Sequence, residues 1–535
     1  MNRKPDWLQG KGYLHITPSL SIDANWKKYY NRITSPQYIA TYAFYPLMHR
    51  ILSDRKYKKP NPKKHEGIKR SHCHKIIGEN KFEKSAKNRP LHYASHFDVL
   101  IYSYYADTLG KLYEEKLQSN EELNKAVLAY RRVPISKTNQ KGKSNIHFAN
   151  EVFSEINRRV ESEGSTSVLA IDLKSFFSSL SHEILYDAWA KLLNVEELPT
   201  DHRNVFKACT NFSYILHKDL KQKNGFRFDE SKLAKIRREN GFKSFFESNE
   251  AFRNEIKNGR LPIYKNPFRK FNEQTGKKEM IGIPQGLPIS ALLANLYLLN
   301  FDSHIIKEIA SRYGAYYRRY SDDILILCKP SVVDEINSYI NNLISKYRIE
   351  ISTDKTERFL FKKMPYNKTG DERITSIKIL SETKNIIDCP VNYLGFEFRG
   401  YNTLIKSTNL AKYYRRLITI IKRRARRALK LSFHNPNIPK AVYINQIKKL
   451  YNSPIKYADK LENKQVFRKR HSLIINDRGD FTFDHFDVEV KNASNYISYL
   501  RRCKKEFNSN SFSLQLKKKK QVIGQAINKH LQERY

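Results

Sequence analysis

Two acidic clusters carry the first chemical signal in this chain. Asp172 ends the short apolar run Ser167-Val168-Leu169-Ala170-Ile171-Asp172, as a buried strand does when it delivers a carboxylate into a cleft. Asp322 and Asp323 stand side by side between two strand-like runs, Ala315 to Tyr320 and Ile324 to Cys328, which predicts a hairpin with carboxylates at its tip. Adjacent acids repel, so the arrangement costs stability unless a cation neutralises it. Three carboxylates on neighbouring strand ends suit two Mg²⁺ (or Mn²⁺) ions about 3.5–4 Å apart, as used for in-line nucleotidyl transfer. One ion would activate a primer 3′-hydroxyl, and both would stabilise charge growing on the transferred phosphate. Taken alone, Asp-Asp also has an ordinary reading, because turns favour Asp.

The elements that must position these acids are partly legible. Ser181 can cap the helix that follows the first strand, and Ile289 to Tyr313 reads as a long helix with Leu292, Leu293, Leu296, Leu299 and Ile306 on one face. After the hairpin, Ser331-Val332-Val333-Asp334 reads as a capping box, and Val333, Ile336, Ile340, Leu343 and Tyr347 continue a helical stripe. Further strands are predicted at Arg358 to Phe361 and Val391 to Phe398. Upstream, Phe97 to Leu117 and Phe148 to Val160 read as helices, joined through Tyr130-Arg131-Arg132-Val133-Pro134 and a polar loop to Ser144. Residues 201–278 are polar and weakly periodic and read as an insertion. The order predicts an α+β sheet covered by helices on one face.

Composition bounds the partner. The 535 residues hold 98 Lys plus Arg against 54 Asp plus Glu, a formal charge of +44. Such a surplus predicts a polyanion, because each cation set against a phosphate releases condensed counterions. Residues 55–75 carry nine Lys or Arg and one acid, Glu66, which fits an exposed loop, either solvated or touching RNA. Lys412 to Lys430 holds nine basic residues and no acid around the apolar anchors Leu417, Ile420, Ile421 and Leu429. An apolar share of 40% excludes a disordered chain. No apolar run is long enough to span a membrane, and Met1 to Trp7 lacks the apolar stretch of a secretory signal. Five scattered cysteines predict a reducing cytoplasm, and His72-Cys73-His74 lacks the second ligand pair of a zinc finger.

Five motifs follow one another in order. Ala170-Ile171-Asp172-Leu173-Lys174-Ser175-Phe176-Phe177 resembles the first catalytic motif of reverse transcriptases. Gly282-Ile283-Pro284-Gln285-Gly286-Leu287-Pro288-Ile289-Ser290 resembles their Pro-Gln-Gly motif, and Tyr320-Ser321-Asp322-Asp323 their Tyr-x-Asp-Asp motif. Lys355-Thr356-Glu357 resembles the following lysine motif and Tyr393-Leu394-Gly395-Phe396 the primer-grip hairpin. Arg89-Pro90-Leu91, Tyr130-Arg131-Arg132, Lys143-Ser144-Asn145-Ile146 and the Gly-Leu-Pro-Ile-Ser ending resemble prokaryotic abortive-infection and defence-associated members.

The resemblance implies a role for each residue. Asp172 and Asp322 would ligate both metals, with the Leu173 carbonyl as a backbone ligand and Asp323 in support. Phe177 stands where such enzymes block a ribose 2′-hydroxyl, with plain core packing as the alternative. Gln285 would hydrogen-bond near the incoming nucleotide, and Gly286 would allow close backbone approach. Lys355 would protonate the leaving pyrophosphate unless it is merely solvated. Arg131, Arg132 and Lys143 would grip the triphosphate.

The resulting expectation is a right-hand polymerase: N-terminal region and fingers at 1–165, palm at 166–400 with 201–278 inserted, and a basic, mainly helical thumb-like region at 401–535. Its function would be RNA-directed DNA polymerisation in cytoplasmic antiphage defence, with a dedicated non-coding RNA, dNTPs, a DNA product and possible self-association. Alternatives are a template-independent or protein-primed polymerase of the same fold, a retron-type enzyme, or a non-catalytic RNA-binding scaffold. Arg423, Arg424, Arg426 and Arg427 are the expected RNA contacts, and Tyr535 is a candidate priming hydroxyl. Neither an RNase H domain nor an endonuclease domain is expected after residue 400.

Overall fold

The computed structural model describes residues 3–532 apart from 18–19, 21, 137, 223–224, 227–243, 247, 273–275, 367–369, 382, 446, 448–465, 476–480 and 491–494. The chain forms two compact units. The first comprises Met1–Arg131, Ala170–Ile326 and Ser331–Thr356, and the second Arg132–Leu169, Leu327–Pro330 and Glu357–Tyr535.

In the first unit, helix Asp98–Gln118 turns Leu100, Ile101, Tyr105, Leu109, Tyr113 and Leu117 inward. It packs on helices His182–Leu193 and Ser290–Tyr297, which also pack on each other. Trp189, Leu293 and Leu296 are buried there, each side chain contributing about 1.5–3 kcal/mol by leaving water. The helix expected over Ile289 to Tyr313 is broken. It runs Ser290–Tyr297, Leu299–Ile305 and Ser311–Tyr313, with a π-type turn at Ile306–Ala310. Beyond it, the hairpin strands Tyr316–Tyr320 and Asp323–Cys328 lie with the latter next to strand Ser165–Asp172. The following helix, Val333–Lys346, is entered through a 3-10 turn at Pro330–Val332, and its cap residue is Val332 rather than a capping-box Ser331.

A four-stranded sheet completes this unit, in the order Ala86–Tyr93, Leu47–Arg55, Ser213–Leu216, Tyr264–Lys265. Met48 faces Tyr93 across the antiparallel pair, and Arg55 faces Ala86. Met48, Ile215, Leu220, Phe245, Phe252 and Leu261 form a core cluster. The 201–278 segment therefore supplies two sheet strands and part of a core rather than a mere insertion. Its strands of two and four residues are too short to display a period.

In the second unit, helix Asn145–Glu163 packs on strand Glu357–Pro365 and on helix Tyr496–Glu506. Strand Glu357–Pro365 pairs antiparallel with Glu372–Ile379, which pairs with Asn385–Ile387. The Val391 to Phe398 run is a tight hairpin, Val391–Tyr393 against Phe396–Phe398, followed by Thr403–Ile405. Helix Ser407–His434 buries Tyr413, Leu417, Ile421, Ala425 and Leu429 on one stripe and packs on helix Lys519–Leu531. No helix among the described residues is long and apolar enough to cross a membrane.

Candidate active site

Asp172 reaches its place because a strand buried at Val168, Leu169 and Ile171 ends there. Three backbone hydrogen bonds fix that end. The Ser352 N–H donates to the Asp172 carbonyl at 2.8 Å, Lys174 N–H to the Glu350 carbonyl at 2.8 Å, and Leu173 N–H to the Asp322 carbonyl at 3.1 Å. The last bond joins the two acidic motifs directly. Ser321, which precedes Asp322, adopts a left-handed φ of +61° at the hairpin turn. Asp172 and Asp322 both line a cavity of about 630 Å³. Asp323 begins the next strand and is exposed, so alternation turns it to the other face.

Phe177, Gln285, Leu173 and Lys355 line the same cavity. Phe177 sits in the single helical turn Phe176–Ser179, and its carbonyl accepts from the Ile283 N–H at 2.8 Å. The Gln285 carbonyl accepts from the His92 N–H at 2.8 Å. Gly286 has φ +123°, and a Cβ there would stand 2.5 Å from the His92 carbonyl oxygen, so only glycine fits this crossing. Lys355 ends a 3-10 turn and sets its ammonium 2.5 Å from an Asp172 carboxylate oxygen.

Several lining residues lie outside the five ordered motifs and take no chemical role from the sequence. Lys87, Asn88, Arg89 and Pro90 come from strand Ala86–Tyr93, and Tyr130 lies close to the Asp-Asp turn, its hydroxyl 3.3 Å from Ser321 Oγ. Arg89-Pro90 and Tyr130 belong to the upstream motifs of the resemblance, whereas Lys87 and Asn88 carry only a dense Lys/Asn/Arg stretch as sequence signal. Lys174, also on the rim, is paired with Glu350 at 2.9 Å, which holds the Glu350 carboxyl below its ordinary range.

The remaining expected site residues are not among those that line this cavity. Arg131 is turned into the first unit, its guanidinium donating to Glu114 at 2.8 and 2.7 Å and to the Asn124 and Val127 carbonyls at 2.9 and 2.6 Å. Those bonds close the end of helix Glu121–Ala126 and leave Arg131 outside the cavity lining. Arg132 and Lys143 belong to the second unit, where Arg132 is exposed and Lys143 pairs with Glu151 at 2.5 Å. Also in that unit, Tyr393 and Phe396 are core residues, while Leu394 and Gly395 form the hairpin turn with φ of +46° and +93°. Arg423, Arg426 and Arg427 are exposed on helix Ser407–His434 and Arg424 is half-buried. Tyr535 lies outside the described residues.

Carboxylate oxygens that already hold one ammonium suit a hard cation. Mg²⁺ is commonly bound by one or two carboxylates plus substrate phosphates rather than by an all-protein cage. Asp172 and Asp322 in one cavity fit that pattern, and no three His, Cys, Asp or Glu side chains gather into a metal cage among the described residues.

No curated protein matches the chain. Solved structures similar to it include apo telomerase from Candida tropicalis truncated from its C-terminal domain, at 9% identity and TM-score 0.36, covering 61% of this chain and 53% of that one. Another is Candida albicans telomerase in complex with a fragment of telomeric RNA, at 11% identity and TM-score 0.34, covering 95% and 65%. The chain thus spans between half and two thirds of these telomerase chains. Residues 118–398, more than half of the chain, match the family model described as reverse transcriptase (RNA-dependent DNA polymerase). The chain belongs to the reverse transcriptase family, with its right-hand polymerase fold of mixed helix and sheet.

Proposed function

We propose that the chain is an RNA-directed DNA polymerase that extends a primer 3′-hydroxyl with deoxynucleotides by a two-metal mechanism. The observation that carries this reading is the convergence of Asp172 and Asp322, held in register by one backbone hydrogen bond, on a cavity that also receives Phe177, Gln285 and Lys355. Asp172, Asp322 and the Leu173 carbonyl would hold the divalent cations; Asp323, on the other face of its strand and outside the cavity lining, would not be among the ligands. Bound cations supply Lewis-acid stabilisation of the phosphate charge and a more acidic 3′-hydroxyl. Phe177 stands against the sugar and excludes a 2′-hydroxyl, and Gln285 orients the incoming nucleotide. Lys87 and Arg89, from a strand on the cavity wall, neutralise the triphosphate. Lys355 delivers a proton to the pyrophosphate as it leaves.

The template is RNA, gripped in part by Arg423, Arg424, Arg426 and Arg427. A dedicated non-coding RNA and a role in antiphage defence rest on the motif resemblance at residues 89–91, 130–132, 143–146 and 286–290. The deciding experiment incubates purified protein and its co-purifying RNA with Mg²⁺ and labelled dNTPs. Incorporation lost in Asp322→Ala assigns synthesis to this site, and incorporation lost after RNase treatment supports RNA direction. Incorporation that survives RNase points to template-independent synthesis on the same fold, and none in wild type leaves only the RNA-binding scaffold.

A further inference from the structure

Beneath the Asp-Asp turn lies a charged cluster sealed from solvent. Arg319 and Asp302 are both 0% exposed. The Arg319 Nε donates to the two Asp302 carboxylate oxygens at 2.8 and 3.1 Å, and Nη2 donates to Asp302 at 2.6 Å. Nη1 donates to Asn295 Oδ1 at 3.0 Å and to the Ser321 carbonyl at 3.2 Å. The partners are themselves oriented. Asn295 donates its amide to the Ala129 carbonyl at 2.9 Å, and the Tyr317 hydroxyl donates to Asp302 at 2.6 Å.

We propose that Arg319 is a positioning residue: its guanidinium, clamped by Asp302 and Asn295, holds the Ser321 carbonyl and so aims the Asp322 carboxylate into the cavity. Two features point this way. A buried ion pair gives no general advantage in stability over apolar side chains of the same volume, so its presence calls for another use. Ser321 adopts a left-handed φ that a serine reaches only when something holds it there, and the residue so held is the one before Asp322. A planar fork with five donors can hold a carboxylate, an amide and a carbonyl at fixed angles. A lysine ammonium cannot.

This inference rests on the polymerase reading for its kinetic test, so the test includes a readout that does not. Arg319→Lys and the charge-neutral pair Arg319→Met/Asp302→Asn are made in the full chain. Each is measured for kcat, for KM toward dNTP, for the Mg²⁺ concentration giving half-maximal rate, and for Mn²⁺ affinity by electron paramagnetic resonance. The expected result is an unchanged dNTP KM, a kcat lower by about tenfold to a hundredfold from misplacement of a reacting group, and a comparable weakening of metal binding. If those variants do not fold, Asn295→Ala loosens the same clamp without burying a charge and should lower kcat and Mn²⁺ affinity together. Folded variants with wild-type kcat and wild-type metal affinity overturn the proposal. A wild type that binds Mn²⁺ more tightly than its variants but incorporates nothing leaves the positioning role standing and removes the polymerase reading.

Discussion

Two sets of arginines, one in each unit, serve opposite ends. In the first, Arg319 and Arg131 are turned inward, their donors occupied by Asp302, Asn295 and Ser321 or by Glu114, Asn124 and Val127. In the second, Arg423, Arg426 and Arg427 stand on a helix face in solvent, paired with no acid among the described residues. An inward guanidinium fixes angles at short range, and its value lies in geometry. An outward one attracts phosphate from a distance, and its value lies in charge that salt can screen. A net charge of +44 adds both kinds together, so the charge count alone overstates the surface open to nucleic acid.

The comparison breaks most sharply at the carboxylates. Asp172→Asn or Asp322→Asn should leave folding intact and cut nucleotide incorporation by at least about a hundredfold, the loss of several kcal/mol of charge stabilisation. Single-turnover incorporation with Mg²⁺ measures it. Next in size is the outward set. Substituting Arg423, Arg424, Arg426 and Arg427 by Glu should lower the slope of log affinity for RNA against log salt by up to about 3, at about 0.7 per lost contact with a single strand. Single-turnover rates at saturating RNA should hold. A rate loss with an unchanged slope would place this helix with the positioning elements instead.

A third test stays inside the cavity. Phe177→Ala should lower the preference for deoxyribonucleotides over ribonucleotides by about tenfold or more, a size-discrimination effect, with the metal requirement unmoved. A constant ratio would return Phe177 to simple packing against Phe176.

The last test concerns acid stability of the first unit rather than turnover. Burial lowers His15 and His92 to about 3, so the unfolded chain takes up protons at these sites between pH 6.5 and 3 while the folded one does not. Their contribution is complete above pH 6.5 and falls by about 1.4 kcal/mol per histidine per pH unit as pH drops. Asp98, raised to about 6 by burial, works in the other direction between pH 6 and 3.8, because there the folded state holds the extra proton. Denaturant titrations from pH 7 to pH 4 should therefore show falling stability, with a shallower fall in His92→Gln.

The share of the fold and of the site that is legible in the sequence differs by element. Asp172 and Asp322 stand out because an apolar run that ends in a charge rarely serves packing alone. Phe177, Gln285 and Lys355 share their cavity through motifs 30 or more residues from one another, a gathering that spacing alone does not convey. Lys87 is silent in the sequence and Arg89 shows only as part of Arg89-Pro90-Leu91, with no role attached, because a strand of eight residues with mixed polarity takes its meaning from its neighbour Leu47–Arg55. Asp302 and Arg319 read as ordinary surface charges in a basic chain, and only packing turns them into a buried pair. Arg131 illustrates the same limit. Two adjacent arginines before Val133-Pro134 look alike in sequence, yet Arg132 is exposed and Arg131 folds back onto a helix end.

The contact between Lys355 and Asp172 has a thermodynamic consequence for cation selectivity. Lys355 is 56% exposed and Asp172 22%, and a pair so open to solvent holds with no more than about 1 kcal/mol. If these carboxylates take a divalent cation, the lysine would act as a tethered competitor, displaced at a cost of less than about tenfold in affinity. A monovalent ion brings no more charge than the ammonium already there and gains little by the exchange. At such a cation site an internal lysine of this kind would bias the carboxylates against abundant monovalent salts while leaving them open to scarcer divalent ones.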